Sequence, residues 1–308
     1  MNYIVACNGS AEQIIFADHT KSGIVPGGAG FYALTGIKLW CDNVMMCAGL
    51  GKDYPEQIGQ WLERNNIDLR GFNVRDEKTP INVCVYKNEA DWYSYTEYGN
   101  EHYDSLDCFP EKDHLCDFLD RTKGVYVFRN DDTTFWNQII PLREKFGFKL
   151  MWEIKATIAI PEKLASLERL LRHVDAFSIN RPEAFSLFGV GRDKDVIEKL
   201  RSFGLPLIVY RVGEEGLYIL LNGDCLFAPS FQQYEVVDVT GCGNTSTAAA
   251  LYAFCEGEPI EMIAAMANVA SSHTLRYLGP MELTEENRKV ARRQALELAR
   301  QFKKGEKR

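Results

Sequence analysis

Nowhere in the 308 residues does an apolar run reach the roughly 18–20 residues that a bilayer-spanning helix needs. The first residues, Met1-Asn2-Tyr3-Ile4-Val5-Ala6-Cys7, lack the charged region and the length of a signal peptide and read as a buried strand. Basic residues are in deficit. Against 43 Asp and Glu there are 35 Lys and Arg, a net charge of −8. Nucleic acid is therefore excluded as a default partner, because phosphate-backbone binding needs a basic footprint. Only the tail is basic (Lys303, Lys304, Lys307, Arg308), and it reads as a solvated helix end. The five histidines (His19, His102, His114, His173, His273) show no metal-ligand spacing, which argues against a cage of protein ligands. Nine cysteines occur without a Cys-x-x-Cys pair, and several, such as Cys7, Cys47, Cys84 and Cys255, sit in apolar surroundings. These are expected to be the buried thiols of a cytoplasmic protein, not disulfides or a zinc site. No repeat, low-complexity block or Pro/Ser-rich linker divides the chain, so a single domain over 1–308 is the economical reading.

What is present is a strand–helix rhythm with one interruption. Strands are expected at 2–8, 43–49, 124–128, 149–152, 176–179 and 206–210, with a partner strand at 217–221. Helices are expected over 31–38, 54–65, 132–146, 161–172, 182–187, 194–203, 260–275 and 284–302. Alternating runs near 71–76, 81–87 and 92–98, with a turn signal at Lys87-Asn88-Glu89, are hairpin material. Strands separated by helices imply a parallel sheet covered on both faces. The hairpin segments imply a small β lid built from about 10–24 and 71–105.

The rest of the chain is organised around Val236-Val237-Asp238-Val239-Thr240-Gly241-Cys242-Gly243-Asn244-Thr245 and the small-residue helix that follows. Two glycines allow a sharp turn or close ligand approach. The free N–H groups and positive dipole end of the helix suit an anion, phosphate above all. An ordinary strand–turn–helix junction capped by Asn244 or Thr245 is the alternative.

This stretch resembles the C-terminal signature of the PfkB (ribokinase-like) family of sugar and nucleoside kinases, whose usual form is Asp-Thr-x-Gly-Ala-Gly-Asp; Asp238–Asn244 aligns with it without a gap. Three further stretches follow in the family's order. Pro26-Gly27-Gly28-Ala29-Gly30-Phe31-Tyr32-Ala33 is similar to the N-terminal double-glycine signature. Gly49-Leu50-Gly51-Lys52-Asp53 with Asn66-Ile67-Asp68 resembles the Gly-x-Asp…Gly-Ile-Asp segment, and Asn180-Arg181-Pro182-Glu183 the Asn-x-x-Glu motif.

The resemblance implies an α/β fold: a three-layer α/β/α sandwich with a mostly parallel sheet and a β lid. It implies ATP and Mg²⁺ as cofactors and a small sugar-like or nucleoside-like acceptor. Gly241, Cys242 and Gly243 would supply the backbone amides that hold the transferring phosphoryl group. Asp238, Thr240, Arg211, Gly213 and Asn268 would lie at the nucleotide, with Asn180 and Glu183, the latter meeting the metal through water. The alternatives are an Asx turn at Asp238, a helix start at Asn180 and a surface ion pair at Arg211. Gly27, Gly28, Tyr32 and Glu12 would face the acceptor, although Phe31 and Tyr32 read equally as packing at the lid.

Two positions depart from the family. Where it closes its signature with a catalytic Asp, this chain has Asn244, which can orient a hydroxyl but cannot take its proton. General-base assistance is typically worth about 10²–10⁴-fold. Asn244→Asp is therefore expected to restore turnover in a kinase that lost only its base. The family's sugar-binding Asp falls at Ile14. A catalytically impaired relative that binds nucleotide or a small metabolite is the alternative function. Cys242 sits at a helix start that lowers a thiol pKa, but with no histidine near in sequence it reads as a small filler. The exposed lid edges are a candidate homodimer surface.

Overall fold

The computed structural model describes residues 1–53, 56–87, 92–105 and 109–305. Tyr54, Asn88, Glu89, Lys307 and Arg308, named above, lie outside them. The chain opens with β1 (Tyr3–Ala6), whose four side chains are all buried, as a central strand covered on both faces requires. β2 (Ser10–Ile15) and β3 (Val25–Gly27) lead into α1 (Gly28–Lys38), followed by β4 (Val44–Gly51), α2 (Glu56–Arg64) and β5 (Phe72–Asp76). Next come β6 (Ile81–Tyr86), β7 (Trp92–Thr96) and two short helices, α3 (Asn100–Tyr103) and α4 (Lys112–Cys116). The alternation resumes with β8 (Gly124–Arg129), α5 (Thr133–Phe146), β9 (Lys149–Ile154), α6 (Leu164–Leu171) and β10 (Ala176–Asn180). Then follow α7 (Arg181–Phe188), α8 (Asp193–Ser202), β11 (Leu207–Arg211), β12 (Gly216–Leu221) and β13 (Asp224–Pro229). Three helices complete the chain: α9 (Cys242–Cys255), α10 (Ile260–Thr274) and α11 (Glu285–Gly305).

Nine strands form one sheet in the order β13-β12-β11-β10-β9-β8-β1-β4-β5, and four form a second, β3-β2-β6-β7. The large sheet is parallel from β5 to β11; β12 runs antiparallel to β11, and β13 antiparallel to β12. From β1 the chain winds outward to β4 and β5 on one side and, beginning at β8, on the other. Ligands in open α/β sheets lie at the carboxyl ends of the strands beside such a reversal.

Helices cover both faces. Leu34 and Ile37 of α1, Ala249 of α9, Ile263 of α10 and Leu298 of α11 share one core. Trp136 of α5, Leu167 of α6 and Leu200 of α8 belong to the other. The small residues of α9 let its neighbours come close: a Cβ on Gly36 of α1 would stand 2.4 Å from the Thr245 carbonyl oxygen. Among the described residues no helix is long and apolar enough to cross a membrane.

The expected three-layer sandwich with a mostly parallel sheet and a small β lid is what the chain forms. The lid's membership differs. Phe72–Asp76 pairs with β4 in the large sheet, not in the lid. An edge strand with one solvated face, as Val74 at 63% exposure attests, carries the same alternation as a lid strand. Val25–Gly27, just beyond 10–24, joins the lid by pairing with Ser10–Glu12. Asn100–Tyr103 is helical, and Asp224–Pro229 adds an edge strand that the sequence did not signal.

Candidate active site

Gly241 is the N-cap of α9, at φ 75° in the left-handed region that glycine adopts without strain. No side chain caps this helix. Asn244 and Thr245, the caps that the sequence allowed, lie inside the first turn and bond elsewhere. The first amides of α9 therefore have no intrahelical acceptor, and the positive end of the helix dipole stands behind them. Thr247 Oγ1, in the second turn of α9, lies 2.8 Å from Ser178 Oγ of β10 and ties the helix to the sheet.

Under that turn Tyr126 in the middle of β8 and the carboxyl ends of β9 and β11 contribute a polar cluster. Asn244 Nδ2 donates to Glu153 Oε1 at 3.1 Å and to Tyr126 Oη at 3.2 Å. Tyr126 in turn donates to Glu153 Oε2 at 2.6 Å. Arg211 Nη2 stands 2.9 Å from Glu153 Oε1 and 4.0 Å from Glu183 Oε2. The Glu153 side chain is only 2% exposed. The sequence drew no attention to Glu153 or Tyr126. The signal was there: one carboxylate within the otherwise apolar Leu150-Met151-Trp152-Glu153-Ile154, at the carboxyl end of a parallel strand.

Arg211 reaches the turn itself. A Cβ on Gly243 would lie 1.9 Å from its Nη1, and its Nε is buried with no partner among the described residues. Gly213, at φ 69°, faces open space. Asn180 and Glu183 form a full capping box for α7: Asn180 Oδ1 accepts from the Glu183 amide and Glu183 Oε2 from the Asn180 amide, both at 2.9 Å. Burial pushes the Glu183 carboxyl above its ordinary pKa, partly offset by Arg211. Asn268 Nδ2 donates to the Pro229 carbonyl at 3.2 Å and so ties α10 to β13. Asp238 Oδ1 accepts from the Thr240 amide at 3.1 Å, from Thr240 Oγ1 at 2.8 Å and from Tyr86 Oη at 2.9 Å. Its Oδ2 is buried and has no partner among the described residues. Burial pushes the Cys242 thiol up to about 12, the opposite of what a nucleophile needs.

On the acceptor side the glycines serve the chain's own packing. A Cβ on Gly27 would lie 2.3 Å from Glu12 Cβ, and one on Gly28 2.1 Å from Ser10 Oγ. Tyr32 lies flat against the signature turn, since a Cβ on Gly241 would come within 2.0 Å of its ring. Its hydroxyl donates to Glu12 Oε2 at 2.9 Å, while Glu12 Oε1 takes Asn82 Nδ2 at 3.1 Å and Cys84 Sγ at 3.4 Å. Burial raises the Glu12 pKa. Phe31 belongs to the core, 5.9 Å from Trp61 and 6.2 Å from Phe72 between ring centres. Among the described residues the cysteines are free, and no cluster of His, Cys, Asp or Glu is set to hold a metal by itself.

The sequence pattern of the pfkB carbohydrate kinase family matches residues 18–287. An uncharacterised protein of Schizosaccharomyces pombe is 23% identical over 318 aligned residues, covering 87% of this chain and 82% of the relative. Among solved structures, adenosine kinase from Sinorhizobium meliloti superposes with a TM-score of 0.77 at 15% identity, covering 94% of this chain and 98% of that one. Arabidopsis thaliana ribokinase, complexed with ribose and ATP, gives a TM-score of 0.75 at 17% identity, over 96% and 98% of the two chains. At such identities these structures establish a shared fold.

Proposed function

The chain belongs to the pfkB family of carbohydrate kinases, and from that membership we propose that it transfers the γ-phosphoryl group of ATP to a hydroxyl of a small sugar-like or nucleoside-like molecule. The observation that carries this reading is the uncapped first turn of α9, beside Arg211 at the carboxyl ends of the parallel strands. Transfer of a phosphoryl group needs little covalent help from a protein; it needs positioning and stabilisation of spreading negative charge. Amides at Gly241 and Gly243, the Cys242 amide that now donates to the Val239 carbonyl at 3.4 Å, and Arg211 Nε, which has no partner among the described residues, are donors of the right kind. Glu183, with one carboxylate oxygen outside its capping box, is the acidic group suited to a Mg²⁺ shell through water. Bound there, Mg²⁺ would neutralise phosphate oxygens. Asn244, whose amide nitrogen is held by Glu153 and Tyr126, would offer its oxygen as an acceptor to the substrate hydroxyl.

Specific observations favour a second reading, a nucleotide- or metabolite-binding protein with little transfer. Tyr32 packs on Gly241, and the carboxylate of the cluster is held on Glu153, hydrogen-bonded to Tyr126 and paired with Arg211. Calorimetric titration with Mg²⁺ and ATP, across a panel of sugars and nucleosides, separates the two. ADP release that depends on the acceptor supports the kinase. ATP binding without turnover supports the second reading, and no nucleotide binding removes both.

A further inference from the structure

The turn at Gly241–Gly243 has two walls that differ in kind. Arg211 closes one: a Cβ on Gly243 would lie 1.9 Å from its Nη1. Tyr32 closes the other: a Cβ on Gly241 would lie 2.0, 2.1 and 2.4 Å from three carbons of its ring. We propose that Tyr32 is a water-excluding residue, whose ring bars water and other nucleophiles from the γ-phosphoryl group of a nucleotide bound from the Arg211 side. This role rests on the kinase reading and goes beyond it by naming the group that guards the phosphorus.

The two walls approach α9 from opposite directions. α1, which carries Tyr32, packs on β1 and β4, and α9 lies over β8, β9, β10 and β11. Arg211 ends β11, separated from β1 by β10, β9 and β8. The phosphates of a nucleotide are drawn to the Arg211 guanidinium, whose Nε has no partner among the described residues. They are repelled from the Tyr32 side, where Glu12 and Asp238 stand. In phosphoryl transfer the attacking and leaving oxygens stand roughly in line on opposite sides of phosphorus. With ADP leaving toward Arg211, the attacking oxygen has to come past Tyr32.

The ring leaves it no room. Not even a methyl group fits between the ring and the Gly241 backbone, and Tyr32 is 1% exposed. The residue is tied at both ends. Its hydroxyl donates to Glu12 Oε2 at 2.9 Å, and its carbonyl accepts from Thr245 Oγ1 of α9 at 3.2 Å. Glu12 is in turn held by Asn82 and Cys84. A site that passes a phosphoryl group to a chosen hydroxyl has to keep water from the same phosphorus. An aromatic ring fixed in contact with the anion turn does so. Removing the ring leaves a void bordered by backbone at Gly241 and by a Glu12 oxygen without its donor, a polar space that admits water. The water oxygen then bonds to the γ-phosphorus as the bond to the β–γ bridging oxygen breaks. ADP leaves with that electron pair, and a water proton passes to a phosphate oxygen, giving ADP and inorganic phosphate.

The test is release of ADP and inorganic phosphate from ATP by the full chain, with Mg²⁺ and no acceptor. Tyr32→Ala is expected to raise that release about tenfold or more over the parent chain. Tyr32→Leu fills more of the core but is too short to reach Glu12, and it is expected to act in the same direction. Tyr32→Phe keeps the ring and loses only its tether, so its gain should fall well below that of alanine. Hydrogen exchange without nucleotide gives a second readout. The Gly241–Gly243 amides of Tyr32→Ala should exchange faster relative to those of β1, whereas a general loss of stability speeds both. Release no faster in the alanine and leucine variants than in the parent chain, while both bind ATP, would overturn the proposal. So would a gain in Tyr32→Phe as large as that of alanine, or exchange at the turn that rises only in step with β1. If neither variant binds ATP, the exchange result decides. Calorimetry on the parent chain keeps the kinase reading apart: no binding of ATP removes that reading and this role with it, whereas binding without the gain removes only Tyr32 as the guard.

Discussion

Asn244 on α9 and Glu153 on β9 are joined by a 3.1 Å hydrogen bond, amide nitrogen to carboxylate oxygen. A carboxylate from β9 therefore lies directly against the residue that closes the signature. This revises the expectation for Asn244→Asp. The substitution would set two buried carboxylates against each other, and such a pair must share a proton, with one pKa strongly raised. A raised carboxyl pKa in the folded state gives stability that is present at low pH and lost as pH rises. Asn244→Asp is expected to unfold at falling temperature between about pH 4 and pH 8, without a gain in transfer. The transposed pair Glu153→Gln/Asn244→Asp is expected to recover the midpoint. Thermal unfolding across that pH range, with ADP release measured alongside, checks both statements.

Arg211→Ala is expected to act first on stability. It removes the cation from a Glu153 side chain that is 2% exposed, and stranding one member of a buried pair costs about 3–5 kcal/mol. Urea unfolding should show that loss, and Glu153→Gln in the same chain should return part of it. Nucleotide titration of the double variant then reports what Arg211 does for phosphate alone.

Tyr32 and Gly241 form a second coupled pair. Tyr32→Phe leaves Glu12 short of one hydrogen bond and is expected to cost about 1–3 kcal/mol, and Tyr32→Ala about 3–5 kcal/mol. Gly241→Ala forces a left-handed alanine whose Cβ meets the Tyr32 ring. Its cost should shrink in a Tyr32→Ala background but not vanish, because the backbone strain remains. Chemical denaturation of the three variants and the double measures the coupling.

Glu12 gives the fold a pH slope. Burial raises its pKa above the ordinary 4.5, so the folded chain holds a proton that the unfolded chain has released. Stability is fully present below about 4.5 and declines as pH climbs toward the folded value. Glu12→Gln keeps an acceptor for Tyr32 and removes the charge. The difference in unfolding free energy between this variant and the parent chain should widen in the variant's favour from about pH 4.5 upward. A constant difference would exclude Glu12 as the source.

The sheet was readable because its strands are short apolar runs between helices, a pattern that survives without knowing which strand neighbours which. Phe72–Asp76 shows where that reading ends: alternation reports one solvated face but not the sheet to which the strand belongs. Within the site, the turn at Asp238–Asn244 announced itself through Gly241 and Gly243, whose backbone geometry is local. The partners of Asn244 did not, because Tyr126 and Glu153 lie 118 and 91 residues away and meet it only when β8 and β9 pair. The same holds for Tyr32, whose contact with Gly241 follows from how α1 packs on α9. Capping boxes are local too, and Asn180 with Glu183 was legible as one; its nearness to Arg211 was not.

Asn82 and Tyr86 stand four residues apart on β6, so their side chains leave the same face of the strand. One holds Glu12 and the other holds Asp238. Glu12 belongs to the same small sheet as Asn82, so the sheet is fastened to the body through Glu12 to Tyr32 of α1 and through Tyr86 to Asp238. A rigid sheet does not release one latch while keeping the other. Access to the space beneath it becomes an all-or-none event, whose frequency sets a common ceiling on how fast any ligand arrives and how fast it departs. Glu12 and Tyr86, on neighbouring strands of one sheet, thereby tie the opening of that space to the breaking of two bonds at once.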